Sequence, residues 1–149
     1  MSFNLPDAIT TQRQLRQVIE ELKNLNPTAD KQTAYDQLSY EAQALVGANQ
    51  SQWEDSSDIA AFTQKLEQAY QNTPVFDVIL PTYPHDTFLS ELSGWFRREI
   101  HPNSLLDIKV RRSIGGGMVL RSKNRLFDLS LRPQILQSRD KIPEVLRRV

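Results

Sequence analysis

The chain has 149 residues, no cysteine, and 18 basic residues balanced by 18 acidic ones. That length suits one medium domain or two small ones, and the missing cysteines exclude disulfides, thiol nucleophiles and cysteine zinc sites. The 39% hydrophobic share and mean hydropathy of −0.50, with no apolar run near the ~20 residues of a membrane span, fit a soluble globular protein.

The first residues, Met1-Ser2-Phe3-Asn4-Leu5-Pro6-Asp7, have neither the basic start nor the apolar core of a signal peptide. A reducing, cytoplasmic setting is the expectation. Thr11-x-x-Gln14 reads as a capping box, and Leu15, Val18, Ile19, Leu22 and Leu25 follow at helical spacing. Asn26-Pro27 ends that helix. A second helix is expected from Asp30 to Val46, with Gly47 as its C-terminal cap and Ala48 to Gln52 as a loop. A third begins near Ser56 or Ser57, turns Ile59, Phe62, Leu66, Ala69 and Tyr70 inward, and stops before Pro74.

The character then changes. Val75 to Leu80 is a β-rich run between prolines. Asp86 or Thr87 can cap a helix to Ile100 with Phe88, Leu92, Trp95, Phe96 and Ile100 as its apolar face. Leu105 to Arg112 reads as a strand. Met118 to Ser122 and Arg125 to Leu131 read as a hairpin turning at Lys123-Asn124. Pro133 opens a closing helix that Pro143 kinks or restarts. The expected fold is therefore α+β and mostly helical. An N-terminal helical bundle (residues 1–74) precedes a small C-terminal α+β subdomain (75–149) with a glycine-entered hairpin and a closing helix. Five basic residues face ten acidic ones through Val75, and thirteen face eight thereafter, so the two halves carry opposite charge.

No constellation for catalysis emerges. The two histidines, His85 and His101, both stand beside prolines or at helix edges, and neither has neighbours at metal-ligand spacing. Glu20-Glu21 and Glu54-Asp55 are adjacent in sequence, so on a helix they diverge. Gly115-Gly116-Gly117 lacks the G-x-x-x-x-G-K-[ST] spacing of a phosphate loop and leads into a strand, which marks a bulge, a tight bend or a contact surface. Lys109, Arg111, Arg112, Arg121, Lys123 and Arg125 raise the alternative of a small basic-faced nucleic-acid-binding accessory protein. The hairpin has Phe127 as its single aromatic, however, where single-strand binders interleave several.

The order of elements in the second half carries more. A helix and a strand precede Ile114-Gly115-Gly116-Gly117, which opens a strand carrying Arg121. A polar turn follows, then Asp128-x-Ser130 with Arg132, then the closing helix. This resembles the C-terminal portion of the delta subunit of F-type ATP synthases, the OSCP family, over roughly residues 86–148. The helical half is shorter than that family's N-terminal bundle, so the chain reads as a divergent or shortened form. The resemblance implies a non-catalytic stator subunit with no cofactor and no metal. It would link the catalytic head to the peripheral stalk and resist rotor torque. It implies as partners the N-terminal segments of the alpha subunits and the b-type stalk subunit, with no nucleic acid and no direct membrane span. The implied location is cytoplasmic, peripheral to the inner face of the cell membrane as part of a complex. The helix bearing Leu15, Val18, Ile19 and Leu22 is the expected head contact, and the hairpin and closing helix are the expected stalk contact.

Overall fold

The computed structural model describes residues 3–26, 30–122, 125–131 and 133. The fold is mixed α+β, with an N-terminal helical region and a small C-terminal four-stranded sheet. Helix α1 (Gln12–Asn24) starts on the capping box. The Thr11 hydroxyl accepts the Gln14 N–H at 3.3 Å, and the Gln14 side-chain oxygen accepts the Thr11 N–H at 3.0 Å.

The expected helix from Asp30 to Val46 is instead two, α2 (Lys31–Asp36) and α3 (Tyr40–Ala48). Ser39 causes the break. Its hydroxyl accepts the Ala42 N–H, while its own N–H and hydroxyl each donate to the Glu21 carboxylate at 2.6 Å. A long-range acceptor on α1 thus fixes Ser39 as a cap rather than a mid-helix residue.

The expected loop at 48–52 is also helical. Helix α4 (Gln50–Asp55) follows Asn49, and Gly47 lies within α3 rather than capping it. Trp53 draws this turn inward by meeting Phe62 edge to face at 5.0 Å. The Lys31 ammonium closes its far end by donating to the carbonyls of Trp53 (2.7 Å), Glu54 (3.2 Å) and Ser56 (2.6 Å). Helix α5 (Ile59–Gln71) is capped by Asp58, whose carboxylate accepts the Ala61 N–H at 2.7 Å.

Their shared core gathers Leu15, Val18, Ile19 and Leu22 of α1 with Leu45, Phe62, Leu66 and Leu105. Helix α6 (Asp86–Glu99) is where expected, and Phe96 of its expected apolar face is buried, but that face is not the one turned inward as a whole. Leu89, Ser93 and Phe96 are buried, whereas Trp95 is 45% exposed and Phe88 and Ile100 also face outward. The reason is Arg97, which is held on the carbonyls of Leu5, Pro6 and Ile9 and so sets the rotation of the helix. Through this strap, residues 86–106 group with residues 3–75 as one compact unit. Among the described residues, 76–85, 107–122 and 125–131 group as the other.

The second unit is built around the sheet. Its strand order is β2-β1-β3-β4, from β1 (Val75–Leu80), β2 (Leu105–Val110), β3 (Gly117–Arg121) and β4 (Leu126–Ser130). The Leu105 N–H meets the Pro74 carbonyl and the Arg111 N–H meets the Leu80 carbonyl, so β1 and β2 run in the same direction. Strand β3 runs antiparallel to both β1 and β4. Ile79, Ile114 and Val119 form a small buried cluster there. The Lys123-Asn124 turn, Arg132 and the closing helix beyond Pro133 lie outside the described residues.

Phe62 is fully buried and meets Phe3 at a tilt and Trp53 edge to face. Phe62→Ala is expected to lower the stability of the helical unit by about 3–5 kcal/mol, measured by chemical denaturation followed by tryptophan fluorescence.

Candidate functional site

The hairpin motif and the helix expected to touch a partner are separate features, so each is built from its own residues. A short 3-10 turn (Arg112–Ile114) ends β2's extension, and the chain then passes through Gly115 at φ 72°, Gly116 at φ 152° and Gly117 at φ 71°. Side-chain-bearing residues rarely adopt such angles. Space demands glycine as well. A Cβ on Gly117 would collide with the Leu129 carbonyl oxygen, and one on Gly116 would stand 2.8 Å from the Leu131 side chain. The Leu131 N–H donates to the Gly116 carbonyl at 3.0 Å, which locks β4 onto the glycine run. Of the readings open at the sequence level, the bend with close backbone approach is the one realised.

Asp128 and Ser130 have a legible role. The bonds Ser122 N–H to Arg125 carbonyl and Leu131 N–H to Gly116 carbonyl set the ladder's phase. In that phase Leu126, Asp128 and Ser130 point their backbone groups away from β3. The Asp128 carboxylate accepts the Ser130 N–H at 2.9 Å, so one outward donor of this last strand is already satisfied. Arg121 sits opposite Asp77 on one side and Leu126 on the other, and is exposed.

Met118 pairs with Leu129 and Leu120 with Phe127, so these four apolar side chains share one face of the β3–β4 ribbon. Phe127 is 51% and Leu129 59% exposed. The opposite face carries Asp77, Arg121 and Asp128 beside the buried Ile79 and Val119. Lys109 contacts Asp77 at 3.0 Å and Asp107 at 3.3 Å, and the Asp77 hydrogen bond raises the Lys109 ammonium above its ordinary value. Arg111 and Arg112 stand at the end of β2 near Leu80, whereas Arg121 and Arg125 stand at the other end of their strands. Among the described residues, the basic side chains read together from the sequence are therefore not gathered into one stripe, and Lys123 lies outside them.

On α1, the residues expected to meet a partner, Leu15, Val18, Ile19 and Leu22, are all buried in this protein's own core. What α1 offers the surface is a groove of about 280 Å³ shared with α5, lined by Leu22, Leu25, Ile59, Ala60 and Thr63. Sequence periodicity did not reveal this groove, because its floor and rim come from two helices. The Lys23 ammonium spans its edge to Glu67 at 2.6 Å, and that bond raises its pKa. His85 is exposed, and His101 accepts the Asn103 N–H on Nδ1 at 3.1 Å beyond the end of α6. Among the described residues, no three or more histidine, aspartate or glutamate side chains are grouped as a metal site would need. None of the described helices is long and apolar enough to cross a membrane.

No protein-family model matches this chain, and no curated protein matches it.

Gly117→Ala is expected to destabilise the protein by at least about 2 kcal/mol, read as a lower urea midpoint, because left-handed strain adds to the collision with Leu129. Asp128→Ala leaves the Ser130 N–H open at the sheet edge. It is expected to cause concentration-dependent association in sedimentation velocity that Asp128→Asn, which keeps an acceptor, does not.

Proposed function

We propose that this protein is a non-catalytic assembly subunit, a divergent or shortened relative of the delta-type stator subunit of F-type ATP synthases. In this reading it ties the catalytic head to the peripheral stalk from the cytoplasmic side of the cell membrane. The observation that carries the reading is the hairpin. Its glycine run, Arg121 and the Asp128-x-Ser130 pair, the features on which the resemblance rests, form one unit built on a close backbone approach. The remaining geometry is compatible with recognising helices. The α1–α5 groove is a trough of the kind that takes an amphipathic helix, and it supports contact with the N-terminal segments of alpha subunits. The apolar ribbon of Met118, Leu120, Phe127 and Leu129 supports contact with the b-type stalk subunit. Apolar side chains at that degree of exposure, arranged on one face, are typical of a surface that a partner covers.

The test is binding of two synthetic peptides, one from the start of an alpha subunit and one from the end of a b-type stalk helix, by calorimetry. Ala60→Asp at the groove rim is expected to weaken the first at least about tenfold and leave the second unchanged, and Phe127→Asp to do the reverse. Failure of both peptides to bind, with retention of RNA or duplex DNA that weakens steeply as salt rises, would replace this reading with the nucleic-acid one.

A further inference from the structure

The segment Phe3–Thr11 buries the Phe3 and Ile9 side chains in the helical core, and its backbone is held from two directions. Asn49, at the junction of α3 and α4, donates to the Asn4 carbonyl at 2.9 Å and accepts the Asn4 N–H at 2.8 Å. From the other direction, Asn103 donates to the Phe3 carbonyl at 2.7 Å and accepts the Leu5 N–H at 3.3 Å. The Leu106 N–H donates to the Thr10 carbonyl at 3.1 Å. Arg97 completes the set through the carbonyls of Leu5, Pro6 and Ile9 and the Asp7 carboxylate.

The Arg97 side chain is only 10% exposed, yet its charged partner Asp7 is 98% exposed. Water therefore screens the ion pair, and carbonyl dipoles do most of the work of replacing the lost hydration. Burial pulls the guanidinium pKa down against the attraction of Asp7, and Nε is buried without a hydrogen-bond partner among the described residues. A charged group in this position regains solvation when the segment leaves. Its bonds and those of Asn103 fall on neighbouring residues of one short segment, so they form and break together.

Helix α6 makes no extensive side-by-side contact with α1, α3, α4 or α5. The core shared by those helices contains Leu105 but neither Leu89 nor Phe96 of α6. The strap is thus a tie between α6 and the helical core, and that core takes Phe3 and Ile9 from the strap but no residue from α6. We propose that residues 3–10 are a releasable latch, whose opening frees α6 in one cooperative step while α1–α5 stay folded. Opening also uncovers the seat of Phe3, which borders a cavity of about 200 Å³ lined by Leu5, Leu15, Leu66, Tyr70 and His101. This inference stands apart from the stator reading, since it rests on the attachment of α6 alone.

Native-state hydrogen exchange on the full chain, followed amide by amide with rising denaturant, tests it. The Asn4 and Leu5 amides and those of α6 are expected to share one opening, of lower free energy than that exposing the central amides of α1 and α5. Arg97→Gln is expected to speed exchange of the strap and α6 amides together by roughly tenfold or more, with α1 and α5 changed less than about twofold. Asn103→Ala removes two strap bonds without leaving a buried charge and is expected to act in the same direction, which decides the matter should Arg97→Gln fail to fold. Strap amides that speed up while α6 keeps its protection, or α1 and α5 accelerated by the same factor as α6, would overturn the latch.

Discussion

A buried cation needs partners, and in this protein the need of Arg97 shapes much of the first unit. Its guanidinium cannot stay dry without acceptors, and the acceptors it finds are backbone carbonyls of a segment some ninety residues earlier in the chain. That bargain turns α6 so that Leu89, Ser93 and Phe96 point inward, and leaves Phe88 and Trp95 outward. It also brings residues 86–106 into the same compact unit as the N-terminal helices. Asn49 and Asn103 extend the principle. Carboxamides that bind both the donor and the acceptor of a passing backbone hold a segment in place without requiring much of its side chains.

The second unit depends on a different constraint, the approach of β4 to the glycine run. Positive φ at three successive residues and the absence of room for a Cβ at Gly117 allow the two backbones to meet where a side chain would keep them apart. Asp128 then satisfies the outward N–H of Ser130, a local device that blunts a sheet edge. Neither feature is chemistry in the catalytic sense. Both present a defined ribbon with apolar side chains on one face.

Much of this was legible in the residues. Thr11-x-x-Gln14 marked the first helix because a capping box is a local contract between four residues. Val75 to Leu80 was legible as a strand because prolines bound a β-rich run. The hairpin strands followed from short apolar runs about a polar turn. The candidate surfaces were harder to read. Leu15, Val18, Ile19 and Leu22 formed the clearest apolar stripe in the chain, and such a stripe marks a buried face without saying whose core buries it. The α1–α5 groove is shared between residues 22–25 and 59–67, so no single window of sequence contains it.

The sequence by itself determined where α1, β1 and α6 begin, the α+β class, and the need for glycine at the opening of the hairpin, because each rests on short-range sterics and hydrogen bonds. Tertiary structure alone decided that Ser39 divides a run of helix-forming residues, since the acceptor responsible is Glu21 on another helix. It likewise decided that Gln50 to Gln52 of the expected loop belong to a helix, α4, through Trp53 against Phe62 and Lys31 on the last carbonyls. Which side of α6 is buried belonged to the same class, because Phe88, Leu92 and Trp95 make as good an apolar stripe as the one that turned inward. Periodicity gives the width of an apolar face, and only a distant partner such as the strap bound by Arg97 selects its direction.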